Sequence, residues 1–116
     1  MRHLVEQAKN GNVDAFSQLA LMVQHGKLVD RNGANAYLPH VDRLAIPITF
    51  LHGAENNCFL PKGSELSFDL LRQANPGVPY ARHVIPGYGH IDCIFGKNAA
   101  ADVYPLMLEH LDATAL

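Results

Sequence analysis

Apolar residues at spacings of three and four mark the first clear element of this chain. Val13, Phe16, Ala20 and Val23 recur at helical period, with Leu19 and Met22 widening the stripe. They predict an amphipathic helix near 13–25 whose stripe faces a core. Asn12 is placed to cap that helix, Asp14 complements its dipole and Gly26 ends it. Ahead of it, Arg2 to Lys9 reads as a separate short helix closed by Asn10-Gly11. Lys27 to Pro39 carries turn formers at Asp30-Arg31-Asn32-Gly33 and at Asn35, and is expected to be an irregular loop.

The period then changes. Ile46-Pro47-Ile48-Thr49-Phe50-Leu51 is a nearly continuous apolar run rich in β-formers. It predicts a strand near 46–52, buried on both faces as in a parallel sheet, with Pro47 tolerated near its start. His52 to Asn57 forms a loop at the carboxyl end of that strand. Ser64 is placed to cap a helix near 63–74, with Leu66, Leu70, Ala74, Ser67 and Leu71 inward, and Asn75-Pro76-Gly77 stops it. Tyr80 to Ile85 predicts a second strand, near 80–86. Asn98 opens a last helix near 98–111, with Ala100, Val103, Met107 and Leu111 inward. Pro105 lies inside this pattern and should kink the helix or mark a later start.

The order strand, helix, strand, helix is that of an α/β fold with a short parallel sheet and flanking helices. Ligand sites of open α/β sheets lie outside the carboxyl ends of the strands. Two loops leave that edge here. One holds Glu55 and Asn56. The other is the glycine-rich turn Ile85-Pro86-Gly87-Tyr88-Gly89-His90-Ile91-Asp92, which places His90 where an imidazole can do acid–base chemistry. The topology therefore brings Glu55, Asn56 and His90 together.

With 116 residues the chain is long enough for one domain, read as a helical, cap-like segment (1–40) and a strand–helix–strand–helix core (41–116). Hydrophobic residues are 48% and charged residues 17%, the balance of a globular protein. A net charge of −2 leaves no basic footprint for nucleic acid. No apolar run is long enough to span a membrane, and Met1 to Lys9 lacks the apolar core of a signal peptide. The two cysteines, Cys58 and Cys93, are too few for a disulfide scaffold, so a cytoplasmic setting is expected. No cofactor motif is found.

The run from Ile46-Pro47-Ile48 to Asn56, followed by Gly89-His90-Ile91-Asp92-Cys93-Ile94-Phe95-Gly96, resembles the C-terminal part of an α/β-hydrolase of the acid-lipase branch. There the first strand leads to the loop of the triad acid, and the second motif carries the triad histidine. Val103-Tyr104 fits the helix that follows. Gln24 to Gly33 resembles the segment leaving the lipase cap, so the likeness covers roughly residues 16 to 111. Glu55-Asn56-Asn57-Cys58-Phe59-Leu60-Pro61 is more similar to the hydrolase-like tails of some bacterial glucose–methanol–choline oxidoreductases, including ones labelled cholesterol oxidase. The resemblance implies a partial hydrolase fold with His90 as the triad histidine.

Two departures qualify the implied activity. Ser17, Ser64 and Ser67 are the only serines, and none lies in a Gly-x-Ser-x-Gly elbow. The position of the family's acid falls on Asn56, and an amide orients an imidazole without stabilising its charged form. Glu55 is the nearest carboxylate. The expectation is a hydrolase-like module carrying the histidine part of an esterase or lipase site, inactive alone. The alternative is a non-catalytic interaction or assembly domain of a larger oxidoreductase-type protein. A homo-oligomer, or an upstream domain of a longer polypeptide, is the expected partner. Cys58 or Cys93 as nucleophile, and His52, Glu55, His90 and Asp92 as metal ligands, are weaker readings. Asp92 is expected to bond the backbone of its own turn. His3, His25, His40, His83 and His110 sit in no motif and are read as surface residues.

Overall fold

A computed structural model describes residues 2–115, with side chains described from residue 13 onward. The chain divides into two compact units, Met1–Arg43 and Leu44–Leu116.

In the first unit one helix, α1 (Arg2–His25), runs through the expected break at Asn10-Gly11. Glycine inside a helix costs about 1 kcal/mol relative to alanine, which the helix formers Glu6 to Lys9 before it and Leu19 to Met22 after it offset. Asn12 is thus interior to α1 and is not its cap. Gly26, at a φ of 63°, turns the chain out of the helix. The stripe expected to face a core does not. Val13, Phe16 and Val23 are exposed, Phe16 by 70%, and the half-buried face is Gln18, Leu21 and Met22. The reason is the loop after the helix, which folds back on that other face. Gln18 Nε2 donates to the carbonyl of Val29 at 3.1 Å, and Val29 is fully buried. The loop is ordered by Asp30, whose Oδ1 accepts the N–H groups of Asn32 and Ala34, both at 2.9 Å. His3 lies outside the residues with described side chains.

In the second unit β1 (Ile48–Gly53) and β2 (Tyr80–Ile85) pair in parallel, Ile48 opposite Tyr80 through Gly53 opposite Ile85. The connection between them is α2 (Pro61–Ala74). Pro61 opens α2, where its missing N–H costs nothing, and Leu60 caps it without a side-chain bond. Ser64 is therefore one turn inside the helix and is not its cap. Leu71 is buried and Ser64, Glu65 and Phe68 are half-buried, whereas Leu66 (59% exposed) and Leu70 point outward. The inner face of α2 is thus partly polar, because it meets His52 and Arg82 of the sheet.

The single helix expected near 98–111 is two, α4 (Ala99–Asp102) and α5 (Tyr104–Thr114), and a further short helix, α3 (Asp92–Phe95), precedes them in the histidine turn. Pro105 sits in the first turn of α5 and so marks its later start. Gly96 closes α3, since a Cβ there would collide with the carbonyl of Asp92. The core gathers Ile85, Tyr88, Cys93, Ala99 and Val103, with Leu51, Leu106 and Met107 against them. Ala100 and Leu111 are exposed.

Side chains alternate along the strands, so α2 and the C-terminal helices lie on opposite faces. His52 and Arg82 reach α2, while Thr49 reaches His110 of α5 at 2.8 Å. The architecture is a mixed α/β layer of two parallel strands between helices. Ile48 to His52 are half-buried and not buried on both faces, because two strands give the helices little width to cover. The N–H of Ile48 bonds Pro79 and that of Ala54 bonds Ile85, which turns the even-numbered β1 residues toward β2. Thr49 and Leu51 point their backbone groups to the other edge, where no strand pairs among the described residues.

Val103→Ala should destabilise the protein by about 2 kcal/mol in urea or thermal unfolding. Leu66→Ala and Leu111→Ala should each change stability by only about 0.5 kcal/mol, since both side chains are exposed. A larger loss at Leu66 or Leu111 would restore the inner faces expected from periodicity.

Candidate functional site

The carboxyl ends of β1 and β2 are held against each other by backbone. After Gly53 the N–H of Ala54 donates to Ile85 O, and that of Glu55 to Tyr88 O, both at 2.9 Å. The approach is so close that a Cβ at Gly53 would run into the carbonyls of Tyr88 and Gly89. Glycine is thus required here for space. Gly87, at a φ of 77°, supplies the turn after Pro86.

This staple places Asn56 beside His90. Asn56 is 6% exposed, and its Oδ1 accepts the N–H groups of Cys58 at 3.0 Å and Phe59 at 2.9 Å. Its Nδ2 faces Nδ1 of His90 at 3.3 Å. The Phe59 ring lies 5.2 Å from the imidazole, tilted by 46°. His90 itself is exposed, and no described residue bonds its Nε2. The Glu55 side chain is also exposed, and among the described residues it makes no hydrogen bond or ion pair. Of the two side chains considered as orienters of His90, the one in contact is Asn56.

A second polar network, built on His52, Ser64 and Arg82, supports the first. His52 lies on β1 with Nε2 2.7 Å from the carbonyl of Phe59, which can only accept. Phe59 is thus gripped through its N–H by Asn56 and through its C=O by His52. Nδ1 of His52 meets Ser64 Oγ at 2.9 Å. Arg82, on β2, donates from Nε to the same Oγ at 2.9 Å and from Nη2 to Pro61 O at 2.8 Å. Ser64 Oγ also lies 3.0 Å from Pro61 O. With three polar neighbours around a tetrahedral oxygen, Ser64 has no open direction from which to attack a substrate. The network fastens the start of α2 to both strands. In the sequence, an arginine in a strand and a serine three residues after a proline carry no signal of this pairing.

Asp92 bonds its own turn, its Oδ2 accepting the Gly89 N–H at 2.7 Å. Neither thiol bonds His90 among the described residues. Cys58 is exposed, and Cys93 is buried, which pushes its thiol pKa up, with the Asp92 charge adding to the effect. A thiol so placed is a poor nucleophile. No group of three or more His, Cys, Asp or Glu side chains among the described residues is arranged to hold a metal. His110, read as a surface residue, is half-buried and bonded to Thr49. It lines a cleft of about 240 Å³ with Pro47, Pro79, Tyr80 and His83. That cleft opens at the amino ends of the strands, away from His90.

No family model matches the chain, and neither a curated protein nor a solved structure matches it.

The buried turn also carries a titratable group. Tyr88 donates its O–H to Asp102 Oδ2 at 2.6 Å. That hydrogen bond, with burial and the carboxylate charge, pushes the Tyr88 pKa from 10.0 up to about 12. Between those values the unfolded chain has lost the phenolic proton and the folded chain retains it. Stability must therefore fall as pH rises from about 10 to about 12. Tyr88→Phe should remove this part of the alkaline loss, as read from unfolding midpoints across that range.

Proposed function

We propose that the chain is a hydrolase-like C-terminal module that carries the histidine part of an esterase or lipase site and turns over no ester by itself. The observation that carries this reading is the Asn56–His90 hydrogen bond across the two carboxyl-end loops. It lies outside the carboxyl ends of the two strands, the side on which open α/β sheets bind ligands, and this supports the reading. The serines support the inactivity. Ser17 lies in α1, and Ser64 and Ser67 in α2, so none occupies a strand-to-helix elbow. A histidine without nucleophile or oxyanion hole lacks most of the rate enhancement of such a site. A reducing, cytoplasmic setting suits an exposed, unpaired Cys58.

Hydrolysis of short acyl esters by the purified chain should stay at background and be unchanged by His90→Ala. Turnover above background that disappears in His90→Ala would contradict the reading.

A second reading, as an interaction or assembly domain of a larger oxidoreductase-type protein or of an oligomer, is favoured by the sheet edge. Parallel sheets are usually wider and covered, and a two-stranded sheet is marginal alone. The outer edge of β1 offers the N–H and C=O groups of Thr49 and Leu51, which no strand pairs among the described residues, and the strand carries no Lys, Arg, Asp or Glu to discourage pairing. Antiparallel pairing about Phe50 would set Thr49 opposite Leu51 of a second copy and satisfy those groups. Light scattering at micromolar concentration should then report a dimer or larger species that Leu51→Pro converts to monomer. A wild-type monomer would count against self-assembly through this edge.

A further inference from the structure

The hydrogen bonds of Asn56 fix more than the position of His90. A carboxamide offers an acceptor at one end and donors at the other. The two ends are hard to tell apart by shape, so the bonding network must assign them. Here the network is decisive. Two backbone N–H groups, from Cys58 and Phe59, converge on one end of Asn56 at 3.0 and 2.9 Å. Only an oxygen can receive both. The opposite end must be the –NH2 group, and it is this end that faces His90 Nδ1 at 3.3 Å. An amide donor can bond Nδ1 only when that nitrogen carries a lone pair and no proton.

We propose that Asn56 is a positioning residue that holds neutral His90 in the form protonated on Nε2, so that the exposed edge of the ring presents a donor and not a base. This is the reverse of what a general base needs. In a catalytic triad the partner accepts from Nδ1–H, and Nε2 keeps the lone pair that takes the nucleophile's proton. The departure from an acid at position 56 therefore reverses the polarity of the imidazole as well as removing a charge. Supplying a nucleophile from another chain would not make His90 a base while Asn56 holds it. Asn56→Asp keeps an oxygen for the Cys58 and Phe59 N–H groups and places a second one against Nδ1, which should draw the proton to that nitrogen. The tautomer follows from these hydrogen bonds alone, whether or not the chain is hydrolase-like.

Long-range 1H–15N spectra of the uniformly labelled chain, at a pH where the imidazoles are neutral, test it. Wild-type His90 should show an unprotonated Nδ1 and a protonated Nε2. His40 provides the reference of a free ring, since it is exposed and its ring makes no hydrogen bond among the described residues. Its shifts should be averaged over both forms, whereas those of His90 should be at the Nε2–H limit. In Asn56→Asp the His90 pattern should invert. A wild-type ring protonated on Nδ1, or one averaged like His40, would overturn the proposal even if the variant failed to fold. An Asn56→Asp protein that folds and keeps the wild-type pattern would overturn it too.

Discussion

The site depends on the absence of one side chain. Gly53 ends β1 against the backbone of Tyr88 and Gly89, at a separation no Cβ could tolerate. That contact allows Ala54 and Glu55 to continue the pairing of the strands into the loops, through Ile85 O and Tyr88 O. Asn56 follows within one residue of the staple, and His90 within two residues of Tyr88. Neither needs a long or flexible side chain to meet the other. The meeting is a product of backbone register, and parallel pairing of two short strands sets that register.

Around the staple, polar groups perform a task often left to a larger core. Among the described residues seven apolar ones are buried, Val29 in the first unit and Leu71, Ile85, Tyr88, Cys93, Ala99 and Val103 in the second. In the second unit the His52–Ser64–Arg82 network ties α2 to the sheet, Thr49–His110 ties α5 to the other face, and Tyr88–Asp102 ties the histidine turn to α4. Partly buried hydrogen bonds are directional and costly to leave unmade, so they fix a geometry that a thin apolar layer would hold loosely. The Phe59 segment shows the consequence. Held by Asn56 on one side and His52 on the other, it sets an aromatic ring beside the imidazole.

The sequence made the strands, their parallel order and the approach of Asn56 to His90 legible. β-formers in Ile46–Leu51 and Tyr80–Ile85, separated by a helical length, leave little choice of topology. Helix faces were less legible. Periodicity turned Val13, Phe16, Leu66 and Leu111 inward, and all are exposed, because a helix with apolar residues on more than one side does not say which side is covered. Asn10-Gly11 resembles a helix stop, but one glycine costs only about 1 kcal/mol and a long helix runs through it. Ser64, expected as a cap, His110, expected at the surface, and Arg82, in no motif, instead bond across the fold. Their roles come from partners across the fold, and nothing local marks them.

Exchange of the Glu55 amide proton with solvent water is the most direct test of the staple. Glu55 lies in a loop and its side chain is exposed, so an unstapled backbone would exchange freely. Its N–H donates to Tyr88 O at 2.9 Å. Native-state hydrogen exchange should therefore protect the Glu55 amide to the same degree as the strand amides between β1 and β2, and Gly53→Ala should abolish that protection. Exchange of Glu55 at the rate of an open loop in the wild-type protein would contradict the account.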